Sequence, residues 1–518
     1  MKIEMPQKYI YSVKILYLLI GFLLLPYYIH QINSDPISYI SIAFRYINQD
    51  YWHAISGGWA PMISWMLIPF LLIKINPPAA FLTINLLAGF ASLFVFEKLL
   101  THLGITEKIK LIGFSICSVL MLYFALTLLS PDLLVLFPII TYFYFLLKKN
   151  YELSYRDAVL CGVLGALGYF CKSYFFGFFC LHFTIYNLLS FFCIKNKSGK
   201  KIIANYLLGI LSFLFISSFW ITALSIKFGK IKISNAAAYN HAIVAPGLED
   251  KYSIEREGLI PPDDSVATSA FETFDDMSHY HRMQDWSPFT SGANFLHQGK
   301  IVAKNFYLTC AKLEVLNPLS IVIVLFIIIE GVRKKKISTL VSSYEFNILL
   351  FIGLYISGYL LLRIQERYLW IIHLCILLFS LHLVNGIFKK DFSKKIKTIS
   401  LFLLITSFTI PPVVKTAAMF NSGKDIFTMS QWLKEKNIKG NIASNSNYTI
   451  SLILSYNLRC KYFGIPLTIS DSTAMNELKK CNIDYILWWD NTEVPSFLNS
   501  YSEITYGSVI GLKIFHLK

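Results

Sequence analysis

Residues 111–148, LIGFSICSVLMLYFALTLLSPDLLVLFPIITYFYFLLK, carry one acidic side chain, Asp132, and no basic one before the closing lysine. A spanning helix needs roughly 20 mostly apolar residues, and this stretch is nearly twice that long. Ser130-Pro131-Asp132 divides it, because proline suits the first turn of a helix and ends the one before. The stretch therefore reads as two membrane-spanning helices joined by a short turn, with Asp132 at that turn.

Working outward, about eleven such segments appear, near 14–31, 78–97, 111–129, 132–148, 157–171, 174–194, 202–224, 308–332, 346–362, 368–388 and 398–416. The composition agrees: 55% of the 518 residues are hydrophobic, 15% are charged, and the mean hydropathy is +0.53. Soluble domains run nearer a quarter charged, so an ordinary globular enzyme and a disordered chain are both excluded. With 42 Phe and 31 Tyr, the aromatic share of 16% suits many helix ends at a membrane interface. The fold class is a polytopic α-helical membrane protein. The first segment follows Lys2, Lys8 and Lys14 as a signal peptide would, but no small-residue cleavage site succeeds it, so it reads as an anchor.

Basic residues orient the chain. With a cytoplasmic N-terminus, the inner segments hold 22 of the 47 Lys and Arg, among them Lys98, Lys148, Lys195, Arg333 to Lys336, and Lys394. The short outer connections carry Arg45, Lys172, Arg363 and Arg367. The +16 net charge is then mainly a topology signal, and nucleic-acid binding is not needed to explain it. The apolar stretch 61–75 would invert this pattern if it crossed, so it reads as a juxtamembrane or re-entrant piece. Residues 1–419 form the transmembrane part, with outer loops 32–77 and 225–307. Residues 420–518 alternate helical patterns (DIFTMSQWLKEKN, TISLILSYNL, TAMNELKKC) with strand-like runs (NIAS, CKYFGI, IDYILWW, VIGLKIFHL), which predicts a small α/β domain on the outer face. Of the nine Cys, Cys460 and Cys481 both fall in that domain and would pair only in an oxidising compartment with suitable geometry.

In so apolar a chain, ionisable groups at helix ends are the functional candidates. Asp35 opens SDPISYISIAFRYINQDYW, where Tyr39, Ala43 and Tyr46 recur at helical spacing. Either Asp35 does chemistry, or Ser34 or Asp35 caps a helix that Pro36 begins. Asp132 has the same two readings, with Ser130 as cap. Lys172, in the turn after Tyr169-Phe170-Cys171, either snorkels or binds an anion. In RIQERYLW, Arg363 and Glu366 suit an i,i+3 pair that would leave Arg367 free. Carboxylates, a lysine and arginines on one outer rim are what a phosphate-bearing ligand with a nearby hydroxyl to activate requires. His279 and His281 in the second outer loop, near Asp285 and Trp286, lack a clear third metal ligand. Walker A, GxGxxG and His-Glu-x-x-His motifs are absent.

DPISYISIAFRYINQDYWHAISGGWAPMISWML resembles the first outer loop of bacterial GT-C membrane glycosyltransferases of the family 39 type, which are similar to protein O-mannosyltransferases and lipid A aminoarabinose transferases. The family pattern has an acidic residue, a Tyr four residues on, an Ala, a Gly-Asp step, and Trp-Ser-Pro-Leu. This chain offers Asp35, Tyr39, Ala43 and Asp50, then Trp59-Ala60-Pro61-Met62, with Gln49 in place of the glycine. SPDLL, GALGYFCKSY and QERYL follow in family order, so the resemblance covers nearly the whole chain. It implies a glycosyltransferase of the bacterial inner membrane with a periplasmic C-terminal domain. The enzyme would move a sugar from a polyprenyl-phosphate donor to a hydroxyl of a glycolipid, polysaccharide or protein, with inversion. On that resemblance Asp35 is the general base or a carboxylate that orients the acceptor, and Asp132 supports it or binds a metal. Lys172, Arg367 and Tyr368 form the donor phosphate site, and Tyr39, Trp59, Arg363 and Glu366 line the substrate. A divalent metal, if the reaction uses one, would fall to Asp35 and Asp132. The main alternative is a transporter or flippase of lipid-linked sugars, which would place charges near span centres and show paired repeats. A non-catalytic scaffold in envelope assembly is a third class.

Overall fold

Apolar runs long enough to bury a backbone in lipid must close their own hydrogen bonds, and helices do so. The computed structural model describes residues 7–148, 151, 154–193, 199–247, 258–262, 286–333, 340–468, 472–490, 494–507 and 509–518. His279, His281 and Asp285 lie outside the described residues. Contacts divide the chain into two compact units.

The first unit comprises Met1–Tyr28, Phe81–Thr222 and Phe295–Phe420. Its helices are α1 (Lys8–Leu24), α5 (Pro77–His102), α6 (Glu107–Leu126), α7 (Asp132–Leu147), α8 (Tyr155–Cys171), α9 (Tyr174–Cys193), α10 (Gly199–Phe228), α12 (Gly292–Leu316), α13 (Ser320–Val332), α14 (Tyr344–Leu360), α15 (Trp370–Lys389) and α16 (Lys394–Ala418), some reaching past its borders. Each of the eleven expected spans overlaps a helix, though α7 and α14, at 16 and 17 residues, are short for a crossing. Among the described residues, seven helices are long and apolar enough to cross a membrane. The segment 308–332 is not one straight span, because α12 and α13 meet at 111°. Pro318 has no N–H to continue α12, and Asn317 Oδ1 instead accepts from Leu319 N at 2.9 Å. Ser154, Ser343 and Ser393 cap α8, α14 and α16 through their hydroxyls.

The second unit comprises Ile29–Ala80, Ala223–Asn294 and Asn421–Lys518. It contains α2 (Ser34–Ile47), α3 (Tyr51–Ala54), α4 (Met62–Leu72), α11 (Ala236–Ala242), α17 (Lys424–Glu435), α18 (Tyr448–Leu458) and α19 (Ser472–Lys480). At 11 residues, α4 is about 16 Å long, half the hydrocarbon thickness, so it cannot cross as a helix. The tail folds as its alternating pattern predicts. Strands β1 (Asn441–Ser444), β2 (Lys461–Tyr462), β3 (Tyr485–Trp489), β4 (Ser502–Glu503) and β5 (Leu512–His516) form one sheet in the order β2-β1-β3-β5-β4. The β1 pairings are parallel and those of β5 antiparallel. Ala443, Phe463, Leu478, Ile486, Trp488 and Phe515 fill its core. Cys460 and Cys481 are free thiols. Cys460 Sγ donates to Ile438 O at 3.6 Å, and burial pushes its thiol up to about 11, which keeps it protonated and unreactive.

Candidate functional site

Helix α8 ends at Lys172, whose extended backbone stops the helix while its N–H still reaches Gly168 O at 2.8 Å. Gly168 allows that hairpin to close. A Cβ there would lie 2.0 Å from the Phe175 ring of α9. The Lys172 ammonium pairs with the Asp132 carboxylate. Asp132 begins α7 and its N–H donates to Ser130 Oγ at 3.4 Å, but the N-cap is Pro131, whose ring has no polar group to bond with, so Ser130 is not the cap that its sequence position suggested. The Asp132 side chain is only 4% exposed.

From the turn Glu366–Leu369, Arg367 reaches the same carboxylate, Nε to Oδ2 3.4 Å, and donates to Gln365 Oε1 at 2.7 Å. It is therefore not left free. Two cations converge on one nearly enclosed carboxylate, an arrangement that is stable only because the charges offset each other's desolvation. The ammonium of Lys172 also sits 3.8 Å over the Tyr368 ring. Tyr368 stacks on Tyr359 at 4.4 Å and Tyr359 on Tyr174 at 3.8 Å, a three-ring wall beside the cations.

Glu366 faces another way. Its carboxylate accepts from Tyr123 OH and lies 2.5 Å from Lys415 Nζ on α16. One short turn thus joins two charge clusters. Arg363, three residues before it, is half-buried.

In the second unit, α2 is capped by Asn33, whose side chain accepts from Asp35 N at 3.1 Å. This corrects the expectation that Ser34 or Asp35 is the cap. Asp35 stands in the first turn, half-buried, where the helix dipole favours a carboxylate. The helix does not lie on a surface, since Pro36 to Ala43 are all buried. Tyr39 meets Trp59 edge to face at 5.0 Å, and Ser64 Oγ donates to Tyr39 O at 2.9 Å. Asp50 caps α3 and holds His53 Nδ1 at 2.7 Å. Gln49 has φ +64°, a left-handed backbone that glycine adopts more readily.

Structure therefore brings Asp132, Lys172, Arg367 and Tyr368 into one cluster, with Glu366 in the adjoining one. Asp35, Tyr39 and Trp59 belong to the other unit. Sequence reasoning did not find Tyr174, Tyr359, Tyr123 or Lys415. The usable signal was Lys415, a charge at the end of an apolar span. A metal does not fit these residues: no group of three or more His, Cys, Asp or Glu is gathered among the described residues, and Asp132 already faces two cations.

No protein-family model matches the sequence, and no curated protein does. Solved structures do. An Archaeoglobus fulgidus oligosaccharyltransferase in its apo form is similar over 92% of this chain and 69% of its own, at 11% identity and TM-score 0.53. ArnT from Cupriavidus metallidurans bound to undecaprenyl phosphate is similar over 97% of both chains, at 9% identity and TM-score 0.52. The fold is therefore similar to that of these two proteins: a multi-pass helical body with a small C-terminal α/β region.

Proposed function

We propose that the protein is a glycosyltransferase that moves a sugar from a polyprenyl-phosphate donor to a hydroxyl acceptor on the periplasmic face of the bacterial inner membrane. The observation that carries this reading is the Asp132–Lys172–Arg367 cluster with Tyr368 against it. The structural likeness to ArnT, a protein solved with undecaprenyl phosphate, supports the donor class.

A sugar joined to a lipid phosphate needs little acid assistance to leave. The bond from the sugar carbon to the phosphate oxygen breaks as the acceptor oxygen bonds to that carbon. The phosphate keeps the electron pair and gains a negative charge, which Lys172 and Arg367 stabilise. The acceptor proton passes to Asp35, the general base. Asp132 holds the two cations ready while the site is empty, and Tyr368 fixes the Lys172 ammonium over its ring. One displacement inverts the sugar carbon.

Asp35→Asn tests the base. Transfer from a polyprenyl-phosphate sugar should fall at least about 100-fold, the usual contribution of a positioned base, while insertion and thermal stability persist. Full activity in that variant overturns the assignment. Lys172→Met should instead raise the donor KM, and a transport protein would show no covalent product in either assay.

A further inference from the structure

Glu366, Trp370 and His373 follow one another at spacings of four and three, which sets them along one face of the segment that enters α15. Trp370 is 3% exposed and His373 is 1% exposed. Yet Trp370 Nε1 and His373 Nε2 have no hydrogen-bond partner among the described residues. Buried polar atoms are normally satisfied, so two orphans one turn apart offer hydrogen bonds to a further group. Phe124 stacks on Trp370 at 4.4 Å and fixes the indole. At the head of this face Glu366, with its side chain 26% exposed, is held between Tyr123 OH and Lys415 Nζ.

Chemistry narrows the occupant. An indole N–H only donates, whereas a neutral imidazole nitrogen donates or accepts. A phosphate only accepts, and the cation beside this face, Lys415, is already paired with Glu366 and offers it no free charge. A hydroxyl both donates and accepts, and it carries no charge to desolvate. We infer that the Glu366–Trp370–His373 face is a subsite for the hydroxyl groups of the transferred sugar, set off by the 366–369 turn from the Asp132–Lys172–Arg367 cations. This rests on the lipid-linked sugar reading above and adds the residues that recognise the sugar.

The test uses the purified full chain in detergent. The probes are undecaprenyl phosphate and undecaprenyl phosphate carrying glucose, mannose or an aminopentose. Wild type should bind at least one sugar-bearing lipid more tightly than the bare lipid. Trp370→Phe keeps the stack on Phe124 and removes the N–H, and His373→Phe removes the second nitrogen. Each should weaken the sugar-bearing lipid about fivefold or more and leave undecaprenyl phosphate unchanged. Equal weakening of both lipids, or no change in either, overturns the inference; in the second case the orphans hold ordered water. If the wild type binds no sugar-bearing lipid more tightly than undecaprenyl phosphate, the subsite falls alone. If it binds none of the lipids, the donor reading falls with it.

Discussion

Gln49 shows a structural demand carried by a single position. Its φ of +64° costs an ordinary side chain about 1 kcal/mol or more relative to glycine. Gln49→Gly should therefore raise stability by about 1 kcal/mol, read as a higher midpoint of thermal unfolding; a lower midpoint would mean the glutamine side chain makes contacts that outweigh the strain. Lys14 shows the opposite case. Counted by sequence among the inner-side lysines, it is 3% exposed and bonded to Glu97 at 2.7 Å, with its ammonium 3.7 Å over the Phe94 ring. Glu97→Gln leaves that ammonium uncompensated and should cost about 3 kcal/mol, whereas adding Lys14→Met should recover most of the loss. Additive effects of the two substitutions, measured by thermal unfolding, would show that the pair is not coupled. Neither feature was visible in one dimension. Sequence shows which residues are charged, but a charge's partner is set by packing.

Among elements, the hairpin of α8 and α9 and the close approach of α10 depend on small residues. A Cβ on Gly162 would lie 2.2 Å from Gly209 O, backbone against backbone. In a membrane, helices associate through such close contact more than through hydrophobic drive. Gly162→Val should destabilise by about 1–3 kcal/mol through overpacking, seen as a lower unfolding midpoint in detergent; an unchanged midpoint would mean α10 gives way freely. The Gly-rich run GALGYFCKSY was legible as a pattern, and its position beside Lys172 was too. What was not legible is that its glycines receive aromatic rings, Phe179 at Gly165 and Phe175 at Gly168. The helices themselves were readable because apolar length decides spanning, and the tail strands because period-two patterns survive in short runs. The bend between α12 and α13 was missed because apolar composition is blind to direction.

Across the whole molecule, residues far apart in sequence share one unit. Ile260 N donates to Phe463 O at 2.8 Å, and Glu477 accepts from Leu259 N at 2.7 Å and from Leu467 N at 3.0 Å. Residues 258–262 thereby pack against the β2 end of the tail sheet, a place where an open strand invites association. Glu477→Ala removes two acceptors and should speed amide exchange across 258–262 by about tenfold or more, from a loss of about 1–3 kcal/mol. Unchanged exchange would mean the strand pairing holds without the carboxylate. The sequence by itself determined that the chain is a multi-spanning membrane protein with a small α/β tail, because hydropathy and period are local properties. It also nominated Asp35, Asp132, Lys172 and Arg367, because charges are conspicuous in an apolar chain. Only the tertiary structure decided that Asp132 faces both Lys172 and Arg367, that Glu366 turns away to Lys415, and that Trp370 Nε1 and His373 Nε2 are buried with no hydrogen-bond partner among the described residues. Those facts depend on helices distant in sequence meeting at one place, and no local pattern records which helices meet.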